Sequence, residues 1–226
     1  MAKVRFAPKP LKWALLVALL GVGLWYALDA VVYAVVRERP SHESWYRTLS
    51  SFVHLAVATP LLLLAPLQFS RRIRGSKPIW HRTMGRVFIS CSLVAAAGAV
   101  YLGATFERVG SRIPLVLFGL LWLAFSTAAW ITARRGLFLA HERFVVRSYA
   151  LALAFVIVRL LGEFQDVLFP FMVDQALRDT SREWLSFVLP LLVVEVGYTW
   201  WPSLGGFRAR LPVRPAHASV TASPPV

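Results

Sequence analysis

Cysteine and charged residues are both scarce in this chain of 226 residues. It has a single cysteine, Cys91, and 16% of its residues are charged, whereas about a quarter are charged in ordinary soluble domains. One cysteine excludes a disulfide framework and a cysteine-rich metal site. No two histidines stand four residues apart with a glutamate between them, so the sequence also argues against a zinc peptidase.

Long apolar runs dominate what is present, since 58% of the residues are hydrophobic. A helix of about 20 residues crosses the hydrocarbon core of a bilayer. The runs are continuous rather than alternating, which favours helices over the strands of a barrel. The sequence therefore predicts an all-α, polytopic bundle of six membrane-spanning helices, at Trp13–Val36, Leu49–Phe69, Val87–Phe106, Ile113–Ala133, Phe144–Gly162 and Trp184–Trp201.

The net charge of +14 raises the question of a nucleic-acid partner, and the distribution of the charge argues against one. Seventeen Lys and Arg residues fall on one side of the predicted spans and seven on the other, with Arg159 inside a span. Such a bias places the richer side in the cytoplasm, where it attracts anionic lipids. We therefore expect a multi-pass protein of the bacterial inner membrane, with both termini cytoplasmic and membrane lipid as its partner.

The chain divides into three parts on composition. Residues 1–12 form a basic cytoplasmic N-terminus, and residues 13–201 form the membrane domain. Residues 202–226, rich in Pro, Ser and Ala, are expected to be a disordered cytoplasmic tail. The apolar part of the first span is too long for a signal peptide and no clear cleavage site follows it, so we interpret it as a retained helix.

One face of the third span consists of small residues, a pattern that lets helix backbones approach closely within a bilayer. We interpret this face as a packing surface. Its members are Gly85, Ser92, Ala96, Ala99 and Gly103.

Ionisable residues inside the spans are candidates for function because their burial in lipid is costly. His54 fits either a hydrogen bond to a neighbouring helix or a role as ligand or proton relay. Arg159 requires a partner, for which Glu163, four residues on, and Asp29 are the candidates; this group fits a structural clamp or an anion site equally well. Glu195 has no evident partner and is expected to be protonated or to face a cavity.

Two histidines mark the cytoplasmic starts of the third and fifth spans. His81 and His141 are each followed by two arginines, at Arg82 and Arg86 and at Arg143 and Arg147. Imidazoles at one depth on two helices can ligate a b-type haem, with arginines holding its propionates. The alternative is that these side chains bind lipid phosphates, another anionic group or a quinone head.

These motifs resemble a family of bacterial membrane proteins, domain of unknown function 2306. The resemblance covers about residues 50–162 and implies a polytopic inner-membrane protein whose working part is the His/Arg set, without an established activity. Phe144-Val145 stands where the family usually has a Trp-Met pair. The resembling elements are His54, Pro66-Leu67-Gln68-Phe69, His81-Arg82-x-x-Gly85-Arg86, Trp122, His141-x-Arg143-x-x-x-Arg147-Ser148-Tyr149 and Arg159-Leu160.

Three functions remain open on the sequence. The first is a non-enzymatic membrane protein whose His/Arg cluster binds an anionic lipid or a small molecule. The second is a redox protein that carries haem b, ligated by His81 and His141, and exchanges electrons with quinone. The third is a small-solute transporter, for which broken helices and a polar site at mid-membrane would argue.

Overall fold

The computed structural model describes residues 14, 17–18, 21–26, 28–29, 45–69 and 75–201, and all regular structure within them is helical. The described residues of the predicted first span are helical. The rest of that span, the basic N-terminus and the predicted tail at 202–226 lie outside the described residues.

Seven helices have described bounds in the part of the chain from Trp45 onward. They are α1 (Trp45–Gln68), α2 (Pro78–Ala104), α3 (Val109–Arg134), α4 (Phe138–Ala152), α5 (Ala154–Glu163), α6 (Gln165–Leu168) and α7 (Gln175–Glu195), and a π-helical turn, Val196–Trp200, extends α7.

Among the described residues, three stretches are long and apolar enough to cross a membrane: α2, α3, and α4 with α5, which together run from Phe138 to Glu163. The helices start earlier than the predicted spans, because polar residues after the first three positions of each helix separate its start from the long apolar run. α2 begins at Pro78 rather than Val87, where proline's fixed φ suits a first helical position. α4 begins at Phe138 rather than Phe144, after a turn in which Gly136 has a φ of 70°.

α3 lies at the centre of the bundle. It packs against α2, α4 and α7, while α1 packs against α2 and, less extensively, against α4. Following the charge-based orientation, we call the end with the α3–α4 turn the inner end and the end with the α2–α3 turn the outer end. Trp122 of α3 is buried in the core among side chains of the other helices, including Leu61, Phe88, Leu151 and Phe187.

The small-residue face of α2 forms a close seam with α3, as the sequence predicted. Ser92, Ala96, Ala99 and Gly103 are buried. A methyl group added at Gly103 would lie 2.9 Å from the backbone carbon of Leu115, so only hydrogen fits there. Gly85, at the inner end of the same face, has more room, since the nearest atom to an added methyl group is 3.6 Å away.

Large apolar side chains cover the exterior of the bundle. Ile79, Ile113 and Val193 are exposed, and many others share this position along the described helices. An exterior of this kind is expected where the surrounding solvent is lipid rather than water.

Candidate functional site

The two histidines predicted to be cytoplasmic lie on helices that do not pack extensively on each other in the described part of the chain. The His141 Nδ1 donates to the carbonyl oxygen of Ala129 on α3, at 2.9 Å. His81 lies on α2, one turn before Gly85. No hydrogen bond or ring contact joins the two imidazoles in the described structure, so a site shared by His81 and His141 stays a prediction.

The four arginines predicted beside these histidines divide between two helices. Arg82 and Arg86 are exposed on α2, and Arg143 is exposed on α4. Arg147 is occupied within the protein, because its Nε donates to Glu195 at 2.5 Å and its Nη1 donates to the carbonyl oxygen of Arg143 at 3.1 Å. The contact corrects the expectation for Glu195, which is ion-paired across the bundle and not left without a partner.

An open groove runs beside Arg143 at the inner end. Its volume is about 680 Å³. Phe138 and Leu139 are strongly exposed there, and the guanidinium of Arg143 forms no ion pair with any described residue. The groove therefore combines an apolar floor with one available positive charge; its lining comprises Leu137, Phe138, Leu139, Ala140, Arg143, Phe144 and Arg147.

His54 forms a hydrogen bond to a neighbouring helix, which is the first of the two roles that the sequence allowed for it. Its Nδ1 donates to the carbonyl oxygen of Ala95 on α2, at 2.8 Å. The imidazole meets the Trp122 ring edge-on, with 6.3 Å between the ring centroids. These contacts tie α1, α2 and α3 together within the bundle.

The predicted pairing of Arg159 is wrong for the described residues. Neither Glu163 nor Asp29 forms an ion pair with it, and all three residues are exposed. The Arg159 guanidinium instead lies 5.7 Å from the centroid of the Phe155 ring. A long arginine side chain can carry its charge along an apolar surface towards water, so no buried partner is needed.

The outer end holds an ionic cluster that the sequence interpretation missed. Asp179 of α7 is 6% exposed and forms ion pairs with Arg108, at the start of α3, and with Arg182. The side-chain amide of Gln175 also donates to Asp179, at 3.0 Å. A second ion pair, between Arg178 and Asp166, lies nearby on the surface at 2.7 Å.

Glu183 is buried next to this cluster without a salt bridge. It is 7% exposed, and its Oε2 has no hydrogen-bond partner in the described structure. Burial raises the pKa of the Glu183 carboxyl, although Ser111, Arg108 and Arg182 act in the opposite direction. The sequence signal for this cluster was Asp179-x-x-Arg182-Glu183 just before the last apolar run.

Buried neutral polar groups gather at the inner end, where α1 ends between α2 and α4. The Gln68 side chain is 7% exposed, and neither its Nε2 nor its Oε1 has a hydrogen-bond partner. Its oxygen faces Gly85 of α2. The adjacent Phe69 contacts Tyr149 of α4, with 5.6 Å between ring centroids, and the Tyr149 hydroxyl is likewise buried without a partner.

No three His, Cys, Asp or Glu side chains come together as a metal site among the residues that the structure describes.

No curated protein and no solved structure matched the chain in comparison. Residues 51–197 match a family described as "Predicted membrane protein (DUF2306)". This match spans more than half of the chain, and it includes His54, Gln68, His81, Trp122 and Tyr149. The protein therefore belongs to the DUF2306 family of membrane proteins.

Proposed function

We propose that this is a six-helix protein of the bacterial inner membrane that binds an anionic lipid at its cytoplasmic interface. Both termini lie in the cytoplasm in this proposal, residues 13–201 form the membrane domain, and the groove beside Arg143 receives the lipid. The single observation that carries the binding function is the exposed Arg143 guanidinium over the apolar floor formed by Phe138 and Phe144.

The chemistry of the groove matches an amphiphile with a negatively charged head. An arginine binds a phosphate through charge-assisted hydrogen bonds in a fork-like geometry. Exposed Leu137, Phe138 and Leu139 offer apolar surface to an acyl chain beside that charge. Arg134 and Arg135, which end α3 nearby, add to the positive potential that attracts anionic lipids to this side.

The neighbouring Arg147 is not expected to serve as a second phosphate ligand. Its guanidinium already donates to Glu195 and to the Arg143 carbonyl oxygen. We therefore assign Arg147 to joining α4 and α7, and assign the recognition of the lipid phosphate to Arg143. Arg82 and Arg86, exposed on a different helix, serve as matched cations outside the groove.

Lipid retention measured by native mass spectrometry tests this assignment. Protein purified from nanodiscs of mixed phosphatidylglycerol and phosphatidylcholine should keep phosphatidylglycerol preferentially. Arg143→Gln should weaken that retention about tenfold, the loss expected for a hydrogen bond to a charged group, whereas Arg86→Gln should leave it unchanged. Equal retention by wild type and Arg143→Gln would contradict the proposal.

The topology is tested separately by reporter fusions. Alkaline phosphatase is active only in the periplasm, so a fusion after Pro202 should be inactive and a fusion within residues 169–174 should be active. Activity of the fusion after Pro202 would overturn the cytoplasmic placement of the C-terminus.

Haem b binding is a second candidate function, favoured by the orientation of His141. Because its Nδ1 donates to the Ala129 carbonyl oxygen, its Nε2 is left as the nitrogen able to ligate iron, which is the arrangement that outer-shell partners impose on ligating histidines. His81 would be the second ligand, and the haem would supply one-electron chemistry. Purified protein supplemented with haem should then show a Soret band that His141→Ala abolishes.

A further inference from the structure

We infer that Gln68, Gly85 and Tyr149 border a recess at the inner end of α1, and that this recess binds the neutral head of a quinone-like molecule. This site is distinct from the groove beside Arg143 and contains none of its lining residues.

The starting observation is a buried carboxamide without a hydrogen bond. Gln68 is more than nine-tenths buried, and both of its polar atoms lack a partner in the described structure. Leaving a buried polar group unpaired costs about 1–3 kcal/mol, and native proteins rarely leave both ends of an amide in this state. A bound molecule that pairs with the amide removes this cost.

A second unpaired group lies on α4, which the end of α1 contacts through Phe69. The Tyr149 hydroxyl is buried without a partner, and its ring is linked to the end of α1 through Phe69. The end of α1 faces α2 where Gln68 meets Gly85, and it faces α4 where Phe69 contacts Tyr149. On this basis we assign the amide and the phenol to one site. His81 lies one turn before Gly85 on α2, which places an imidazole at the inner rim.

The side chains that form the recess select the chemical class of the ligand. A carboxamide and a phenol both donate and accept hydrogen bonds without carrying a charge. They match a head group with carbonyl or hydroxyl oxygens better than they match a phosphate or an ammonium group. The rings of Phe69 and Tyr149 add aromatic surface against which a flat ring can pack.

The position of the recess favours a molecule that arrives through the bilayer. Gly85 is seven residues from the start of α2 and Tyr149 eleven residues from the start of α4, or about 10 and 16 Å along the helices. Both stretches are long and apolar enough to cross a membrane. A ligand with a polar head and a lipid-soluble body can reach this depth through the bilayer and can also pair with the buried amide and phenol.

The test is titration of the full-length protein, in phosphatidylcholine nanodiscs, with a ubiquinone carrying one isoprene unit. Calorimetry should show saturable binding to the wild type. Gln68→Leu, which removes both hydrogen-bonding groups, should weaken binding about tenfold or more, and Tyr149→Phe severalfold. Gly85→Ala, whose new methyl group would lie 3.6 Å from the Gln68 oxygen, should weaken binding while the protein still folds.

Two controls separate the recess from its surroundings. Without quinone, Gln68→Leu should melt no lower than the wild type, because the group it removes has no partner. The Arg143→Gln variant should bind quinone as tightly as the wild type although it retains less phosphatidylglycerol. The two binding proposals can therefore be disproved independently of each other. Absence of saturable binding to the wild type, or wild-type affinity in both Gln68→Leu and Tyr149→Phe, would overturn the inference and leave the recess to water.

Discussion

At the outer end of the bundle Asp179 is buried with two arginines and an amide as partners, whereas at the inner end Gln68 and Tyr149 are buried with none. The outer groups are charged. Asp179 is tolerated because it is paired, whereas the neighbouring Glu183 forms no salt bridge with a described residue and burial raises the pKa of its carboxyl. The inner groups are neutral, and their unpaired state is unusual for a protein interior. The comparison indicates that the outer end holds α3, α5 and α7 together, and it fits our inference that the inner end receives other molecules.

Contacts of the outer cluster support this division because two of them join α7 to other parts of the bundle. Asp179 on α7 forms an ion pair with Arg108, which directly precedes α3. The Arg182 guanidinium lies against the backbone at Gly162 of α5, where an added methyl group would meet it. The charged groups of the outer cluster therefore have partners that belong to the protein itself. Among the arginines of the inner end, Arg147 is committed in this way, while Arg143 is exposed.

Removing the centre of the outer cluster should have the largest effect on stability. Asp179→Asn leaves Arg108 and Arg182 without their carboxylate. We expect a loss of about 3 kcal/mol, at the lower end of the range for a buried pair that loses one partner, since Arg108 is 47% exposed. Unfolding in detergent micelles measures it.

The matched control is Asp166→Asn, which breaks an ion pair whose carboxylate is 83% exposed. Exposed pairs contribute less than about 1 kcal/mol. If the two variants lose stability equally, the outer cluster is not the clamp that we describe.

Adding a methyl group to the small-residue face of α2 should have the next largest effect on stability, and only near the outer end. Gly103→Ala places a methyl group 2.9 Å from Leu115, and we expect it to cost about 1–3 kcal/mol. Gly85→Ala meets nothing nearer than 3.6 Å and should be neutral or slightly stabilising, because alanine favours helix more than glycine does. Thermal unfolding of both variants checks this, and similar losses would remove the contrast between the two ends.

Glu183 should make stability depend on pH at the outer end. Its folded-state pKa is raised by burial above the ordinary value of 4.5, so the folded protein holds the proton more tightly than the unfolded chain. The contribution of Glu183 to stability is then fully present below about pH 4.5 and is lost as pH rises through its folded-state pKa. Glu183→Gln should flatten this dependence, and unfolding measured between pH 4 and 8 would reveal it; an unchanged slope would show that Glu183 does not titrate with folding.

The helices could be predicted largely because each apolar run carries its own signal. The small face from Gly85 to Gly103 predicted a packing surface because its spacing repeats along one helix. The starts of α2 and α4 were placed too late, since polar residues such as His81 and Arg82 occupy helical turns beyond the apolar part.

The contacts between distant residues could not be predicted in the same way. Arg147 and Glu195 are 48 residues apart, and only the packing of α4 against α7 brings them together. Arg159 was assigned a partner from spacing along its own helix, but its side chain points outwards. Gln68 was noted as part of a motif, and only the folded structure shows that its amide is buried and unpaired.

Hydrogen–deuterium exchange with and without ligand tests the division between the two ends most directly. Full-length protein in nanodiscs would be compared before and after phosphatidylglycerol and the short-chain ubiquinone are added. We predict slower exchange in peptides from residues 137–147 with the lipid and around residues 68 and 85 with the quinone, and no change in residues 175–183. Protection of residues 175–183, with the inner end unchanged, would contradict the account.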